Sequence, residues 1–572
     1  PAPRGLRPVK PTTSTRLPFA LAAALLAPAC LQGPGATPVD PFKPADQALG
    51  ERVFRDPRFS QWFATHSSNV NAFPSPGDPT VALAQNALGP NYPGSLAGAA
   101  MACSLCHLVE QNSAPNGTNM RAYSDYASRS PIPDRGDGQA HTPRNSPPMV
   151  DDLIPHSGPT FLHLDGQFVT PEDLITFTFT GRNLGWLFTE HDQAVSHIAQ
   201  VIREDDCSQF IGPDPGLAGT SYAADFLAQD ERILARLRLP VEDRIDVHTA
   251  TDDEVVAAVA HVVAEYISGL RYSRDTTGAY NFSPFDVFVR LNGLPRQPEE
   301  GEAPLAYARR LRTAVESLVE PVFVTPEMGS YIHHSQPFAF GQAELQGLEV
   351  FLAEPLGPFI PLDSGGGGGG VGNCIACHTP PDFTDHAFHN TGAAQVEYDN
   401  VHGSGAFMAL SVPDLATRNA NPLLYLPASL ANPTAPGNFR SEASASNPSL
   451  ADLGMWNVFA NPDIPNPQSA LLDILCPTPS ATTDCSPATL LPQTIGLFKT
   501  PGLRDLDDSA PYLHNGSLNN FQAVLAQYQK VSALQRAQAL RNGDTRLTGM
   551  NLSTVDIAAL SAFLHSLAED YQ

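Results

Sequence analysis

Two five-residue words in this chain could do chemistry by themselves: Cys103-Ser104-Leu105-Cys106-His107 and Cys374-Ile375-Ala376-Cys377-His378. Both read C-x-x-C-H. Two thiols at this spacing reach the two vinyl groups of one porphyrin, and the adjacent imidazole then lies under the iron as its axial ligand. With 8 Cys and 17 His in 572 residues, one such word is expected by chance about 0.003 times. Half a zinc site or a reducible dithiol also uses C-x-x-C, but neither accounts for the His twice. A zinc ribbon brings its second pair within about 20 residues, whereas these words begin at positions 103 and 374. The reading is two covalently bound haem c groups, one on Cys103, Cys106 and His107 and one on Cys374, Cys377 and His378.

The rest of the chain must position these words. At roughly 100 to 200 residues per domain, 572 residues allow several domains. The net charge of -26 leaves no field that would attract phosphate backbones, so nucleic acid is excluded as a partner. With 42% apolar residues a core is expected, and 43 Gly with 55 Pro imply many turns and long connections. Helical spacing covers Gln193 to Arg203, Ala223 to Leu237, Asp253 to Leu270 and Leu305 to Val319. Ser553 and Asp556 form a capping box ahead of Ile557, Leu560, Leu564 and Leu567, which predicts a core-facing terminal helix. The fold class is mainly α: two cytochrome c-like helical domains, each with one covalent haem c, plus long loop insertions. The N-terminal haem domain is placed at 45–335 with a helical insertion, and the C-terminal one at 340–572. Within the latter, 393–497 is rich in Pro, Asn, Ala and Ser and reads as a partly ordered insertion, pinned by a Cys476–Cys485 disulfide. Cys207 reads as a buried thiol.

Residues 1–30 read as a signal peptide, with Arg4, Arg7, Lys10 and Arg16 ahead of the apolar run Leu17 to Leu26 and the small-x-small site Ala27-Pro28-Ala29. Cys30 follows, so a lipoprotein signal is the alternative, although Ala27 stands where a Leu is expected. A periplasmic or exported protein results, lipid-anchored if Cys30 is modified, and haem c is attached outside the cytoplasm. No later segment has about 20 consecutive apolar residues, so no transmembrane span is expected in the mature chain.

The text around the two words resembles the bacterial di-haem cytochrome c peroxidase and MauG family. Gly50-Glu51-Arg52-Val53-Phe54-Arg55-Asp56, with Arg58 and Ser60, looks like the family's lead-in. Arg144-Asn145-Ser146-Pro147 looks like its R-N-x-P segment, and Asp165-Gly166 like the start of its D-G-R. Glu344 to Phe351 precedes the second word as expected. Phe383-Thr384-Asp385 and Phe388-His389-Asn390-Thr391-Gly392 follow it. Phe498-Lys499-Thr500-Pro501-Gly502-Leu503-Arg504 and Ala510 to Ser517 complete the match.

The resemblance implies that His107 and His378 are proximal ligands, and that Tyr528 stands where simple peroxidases carry Met and MauG carries Tyr above the C-terminal haem. It also implies one calcium ion at Asn145 and the carbonyl oxygens of Ser509 and Pro511, and it makes His141 a candidate sixth ligand of the first haem. Departures are equally specific. The family's inter-haem Trp is Leu164 here, the Arg after Asp-Gly is Gln167, and the distal Gln and Glu positions fall on Leu174 and Leu184, which cannot move a proton. Glu172, Arg182, Glu190 and His191 are the nearby candidates for that catalytic role. The implied activity is reduction of hydrogen peroxide with electrons from a small cytochrome c or cupredoxin, passed through the C-terminal haem. The alternatives are a MauG-like oxidase of a partner protein and a pure electron-transfer cytochrome.

Overall fold

A computed structural model of the chain describes residues 43–72, 102–107 and most of 129–569; the stretches 209–213, 356–368 and 478–483, and single positions near 130–157 and 332–335, are not described. The expected signal peptide and Cys30 lie outside the described residues. The described part is mainly helical. Its longer helices are α1 (Ala45–Phe54), α2 (Pro171–Phe179), α3 (His191–Glu204), α4 (Asp252–Gly269), α5 (Pro284–Leu291), α6 (Pro304–Glu316), α7 (Gln342–Leu352), α8 (Ala393–His402), α9 (Gln468–Leu475), α10 (Phe521–Arg536) and α11 (Thr554–His565). One short ladder pairs β1 (Phe388–His389) antiparallel to β2 (Phe498–Lys499), with Phe388 opposite Lys499 and His389 opposite Phe498. Among the described residues no helix is long and apolar enough to cross a membrane.

The same packing device recurs in both halves. In the first, α1 crosses α4 at Gly50, where a Cβ would lie 1.9 Å from the Val262 carbonyl oxygen. In the second, α7 crosses α11 at Gly347, where a Cβ would lie 2.0 Å from the Ala559 carbonyl oxygen. Only glycine allows backbones to approach this closely. The flanking text repeats as well: Gly50 and Gly347 are each followed, three and four residues on, by Val-Phe (Val53-Phe54 and Val350-Phe351), and these four side chains are buried.

Local sequence accounts for the helix starts. Thr251 and Glu254 cap α4 reciprocally, and Asp252, Asp253 and Glu254 put negative charge at its N-terminus, where the helix dipole favours it. Val255, Val259, Val262 and Val263 then fill the first core with residues of α1 and α3. Ser553 and Asp556 make the expected capping box on α11. The lead-in residues prove structural: Arg52 pairs with Asp205 at 2.8 Å, Arg58 with Asp56 at 2.7 Å and Asp205 at 2.9 Å, and Tyr222 donates to Asp56 at 3.0 Å, all buried.

Three features differ from the sequence reading. The helix expected over Ala223 to Leu237 stops at Leu227, with Ala228 left-handed. Ile245 N–H takes the Phe226 carbonyl and Asp230 captures Arg232, so the same apolar spacing is met by turns. Second, α5, α6 and the segment through Val324 pack in the apolar core of α7 and α11, so the first core ends near residue 280, whereas the sequence reading extends the first domain to 335. Third, the described part of 393–497 is ordered around a core of its own containing Phe439, Leu453, Met455, Trp456 and Leu471. Most of its elements are too short to show periodicity, and single turns and loop residues supply much of the core. Arg418 ties it internally by donating to the Trp456 and Phe459 carbonyls, and the Cys476–Cys485 disulfide is formed. Cys207 is half-buried rather than buried.

Candidate functional site

Both C-x-x-C-H words fold into the same turn. Cys103–Leu105 and Cys374–Ala376 are single 3-10 turns. In each, the N–H groups of the second Cys and of the His return to the carbonyl of the first Cys: 3.1 and 2.8 Å in the first word, 3.1 and 2.7 Å in the second. This places two sulfurs and one imidazole on one short arc, which fits a porphyrin edge. Burial pushes the Cys103 and Cys374 thiols up to about 12, the apolar setting that suits a thioether rather than a reactive thiolate.

The second word is supported more fully. His378 Nδ1 hydrogen-bonds the Phe383 carbonyl at 2.9 Å, which makes Nδ1 the donor and Nε2 the free basic nitrogen. Burial lowers the pKa of this imidazole and keeps it neutral, the form that binds metal. Tyr528, on α10, is brought to the same place. Burial, and then the neighbouring Cys377 and Cys374 sulfurs, push its phenol well above the ordinary range. Only a strong positive charge would make it an anion there. The donor set of two thiols, one imidazole and one phenol therefore fits an iron porphyrin.

Between the halves lies a buried charge cluster assembled from four segments. Arg144 grips Asp452 through Nε and Nη2 at 2.6 and 2.8 Å and Asp165 through Nη1 at 2.6 Å. Burial alone would raise the Asp165 carboxyl, but Arg144 and then Arg440 outweigh it and hold it down at about 2. Gln167, where the resemblance leads one to expect Arg, accepts from Arg440 Nη1 at 2.8 Å, and Arg440 Nη2 lies 3.5 Å from Asp165. The inserted segment thus supplies the cation that the Asp-Gly-Gln turn lacks. His163 also meets Gln167, at 3.2 Å, and burial followed by Arg440 lowers its pKa to about 4. His514, stacked on Phe498 at 3.8 Å, is lowered to about 4 by burial. Leu164 sits half-buried beside this cluster, its carbonyl accepting from Lys499 N–H at 2.8 Å.

The expected catalytic candidates stand apart from one another. Glu172, at the start of α2, faces His261 at 3.8 Å and keeps 45% of its side chain exposed. Arg182 donates to the Gln139 carbonyl at 3.2 Å. Glu190 is held by Arg135 at 2.6 Å and by Leu187 N–H at 3.0 Å; burial opposes ionisation, yet these bonds keep its carboxyl below the ordinary range. His191 opens α3, half-buried. His141 turns Nε2 to Glu442 at 3.4 Å and Nδ1 to the Thr142 carbonyl at 3.0 Å. Leu174 is half-buried and Leu184 buried. Of the calcium candidates, Asn145 Nδ2 already meets the Pro511 carbonyl at 2.7 Å, whereas the Ser509 hydroxyl donates to the Leu506 carbonyl.

Sequence reasoning missed Arg440 and the role of His389. His389 Nδ1 meets Asp544 at 2.6 Å and Nε2 meets Asp385 at 2.8 Å. Burial works against its charge, but Asp385 and Asp544, together with the Cys377 sulfur, hold its pKa up at about 11. Cys377, Asp385 and His389 could together hold a metal ion; a thioether at Cys377 would remove that option.

Comparison with known proteins gives short sequence matches. A 70-residue stretch is 37% identical to the methylamine utilization protein MauG of Methylophilus methylotrophus, covering 12% of this chain and 19% of the relative. A 201-residue stretch is 26% identical to the cytochrome-c peroxidase IdrP2 of a Pseudomonas strain, covering 35% of this chain and 37% of the relative. The chain therefore spans well under half the length of the curated relatives it matches. Among solved structures, a MauG-like protein associated with microbial copper homeostasis aligns at 17% identity and TM-score 0.41 over 96% of both chains. The diheme peroxidase BthA from Burkholderia thailandensis aligns at 15% and 0.41 over 93% of this chain and 89% of that one. No family profile matches. In sequence, this chain is similar to MauG and to a cytochrome-c peroxidase, the di-haem peroxidase and MauG family that its two C-x-x-C-H words and their flanking residues resemble.

Proposed function

We propose that this chain is an exported di-haem c-type oxidoreductase that reduces hydrogen peroxide, with one haem on Cys103, Cys106 and His107 and a second on Cys374, Cys377 and His378. The observation that carries the reading is the shared turn: two words far apart in sequence present two thiols and an imidazole in the same hydrogen-bonded arc. Bound there, haem supplies the redox iron that exchanges electrons with peroxide. The chain's own residues do the rest. The Phe383 carbonyl orients His378, and Tyr528 is the candidate distal ligand of the second haem. Arg182 and Glu190 are committed to other contacts, which leaves Glu172 and His191 as candidates for proton delivery. A calcium ion at Asn145 and the carbonyl oxygens of Ser509 and Pro511 belongs to the same proposal, with Asn145 and Pro511 adjacent although Asn145 Nδ2 donates to the Pro511 carbonyl. A chain of net charge -26 suits a basic electron donor, such as a small cytochrome c or cupredoxin.

Tyr528 favours a second reading, an oxidase that withdraws electrons from a partner protein, because a phenolate stabilises higher iron oxidation states than a thioether does. The test begins with the protein made in an export-competent host with haem c maturation. The intact mass should exceed that of the mature chain by two haems, and stoichiometric peroxide should shift the Soret band of the ferric or half-reduced protein. A gain of one haem or none overturns the reading. Two haems without any spectral response would make the chain a pure electron carrier.

A further inference from the structure

Tyr280 lies buried between the halves, its hydroxyl 2.8 Å from Asp151 Oδ2 and 2.8 Å from Asp382 Oδ1. Arg274 Nη2 donates to the same oxygen at 2.7 Å. A phenol has one proton to give, so the Tyr280 hydroxyl donates to one of the two carboxylates at a time. Asp151 is paired with Arg274 Nη2 at 3.2 Å and lies 4.0 Å from Arg271 Nη1. Its charge is thus met by guanidinium groups, which leaves Asp382 as the acceptor of the Tyr280 proton. Asp382 directly precedes Phe383, whose carbonyl holds His378. Tyr280, Asp151 and Asp382 line a cavity of about 40 Å³ shared with Lys499 and His386, polar and large enough for water.

We propose that Tyr280 is a redox-active relay for the second haem, losing one electron to a peroxide-oxidised haem while its hydroxyl proton passes to Asp382. The O–H bond of the phenol breaks and an O–H bond forms on Asp382 Oδ1. Electron and proton return together when the external donor delivers an electron. The charges around the ring require this coupling. The guanidinium groups of Arg504 and Arg274 stand 3.5 and 4.0 Å from the ring centre, so they oppose a phenol cation radical and favour the neutral phenoxyl. Other buried phenols are placed differently. Tyr307 and Tyr398 donate to backbone carbonyls, and Tyr222 reaches Asp56 inside the charge cluster of the first half.

The relay rests on the haem reading above, and the test separates the two. Freeze-quenched holoprotein is examined by EPR after hydrogen peroxide, and in parallel after flash photo-oxidation by a ruthenium tris-bipyridyl complex, which needs no peroxide chemistry. Wild type should give a tyrosyl radical under both, narrowed by ring-deuterated tyrosine. Tyr280→Phe should lower the photo-oxidation yield at least fivefold, with Tyr398→Phe, which loses only a bond to the Pro448 carbonyl, as the unaffected control. Asp382→Asn should slow radical formation and remove its solvent deuterium effect. A fluorotyrosine placed at 280 keeps the hydroxyl and should add fluorine splitting to the signal, which guards against a misfolded Phe variant. An undiminished radical in Tyr280→Phe, or no fluorine splitting, overturns the relay. A Tyr280-dependent photo-radical without any Soret response to peroxide overturns the peroxidase reading and, with it, peroxide as the source of the oxidant, while the proton-coupled oxidation of Tyr280 toward Asp382 stands.

Discussion

Replacing Arg144 by Met should be among the most destabilising single changes in the chain. The guanidinium is the shared partner of Asp165, fully buried, and Asp452, 6% exposed. Breaking a buried ion pair from one side costs about 3–5 kcal/mol. Arg440, 3.5 Å from Asp165, stays behind and offsets part of the loss, so the lower end, about 3 kcal/mol, is expected. The acidity of Asp165 gives an independent figure. Its carboxyl is lowered from 3.8 to about 2 by Arg144 and then Arg440 against the opposing effect of burial, and at 1.36 kcal/mol per unit this net shift amounts to roughly 2 kcal/mol. The sign follows from the depression. The contribution is complete above pH 3.8 and is lost as pH falls through about 2. Urea unfolding of the holoprotein, followed by the fluorescence of fully buried Trp456 in the inserted segment, reads the relevant region. The gap between wild type and Arg144→Met should be widest near neutral pH and should close on acidification. A neutral-pH gap below about 1 kcal/mol, or a gap that persists unchanged to pH 2, would refute the electrostatic account.

Tyr528→Phe should convert the second haem from a six- to a five-coordinate EPR signature or recruit another ligand, and an unchanged spectrum returns Tyr528 to the core. Gly347→Ala drives a methyl into the Ala559 carbonyl and should cost at least about 1–3 kcal/mol by parting α7 from α11; an unaltered urea midpoint would disprove the close crossing. His389 contributes stability that is whole below its unfolded value near 6.5 and fades as pH rises through about 11. Wild type should therefore lose its advantage over His389→Gln on going from neutral to strongly alkaline pH, and parallel pH–stability curves would count against the carboxylate clamp.

The chain shows its chemistry openly wherever that chemistry is local. Five residues suffice to specify the hydrogen-bonded turn that holds two thiols and an imidazole together, and a Ser and an Asp three residues apart specify the start of α11, because the groups that must meet are joined by a single turn of backbone. The paired Gly-Val-Phe text around Gly50 and Gly347 is visible in the sequence, but that both glycines mark a helix crossing depends on α4 and α11. Helical spacing misled over 223–237, where turns bury the same apolar residues, and lack of periodicity misled over 393–497, where many short elements share one core. The charges between the halves were not legible at all. Arg440 meets Gln167 across 273 positions, and Tyr280 meets Asp382 across 102. Contacts at such separations leave no periodic trace in sequence; the packing of the halves and the inserted segment decides them, because only that packing excludes water and makes each buried charge dependent on its partner.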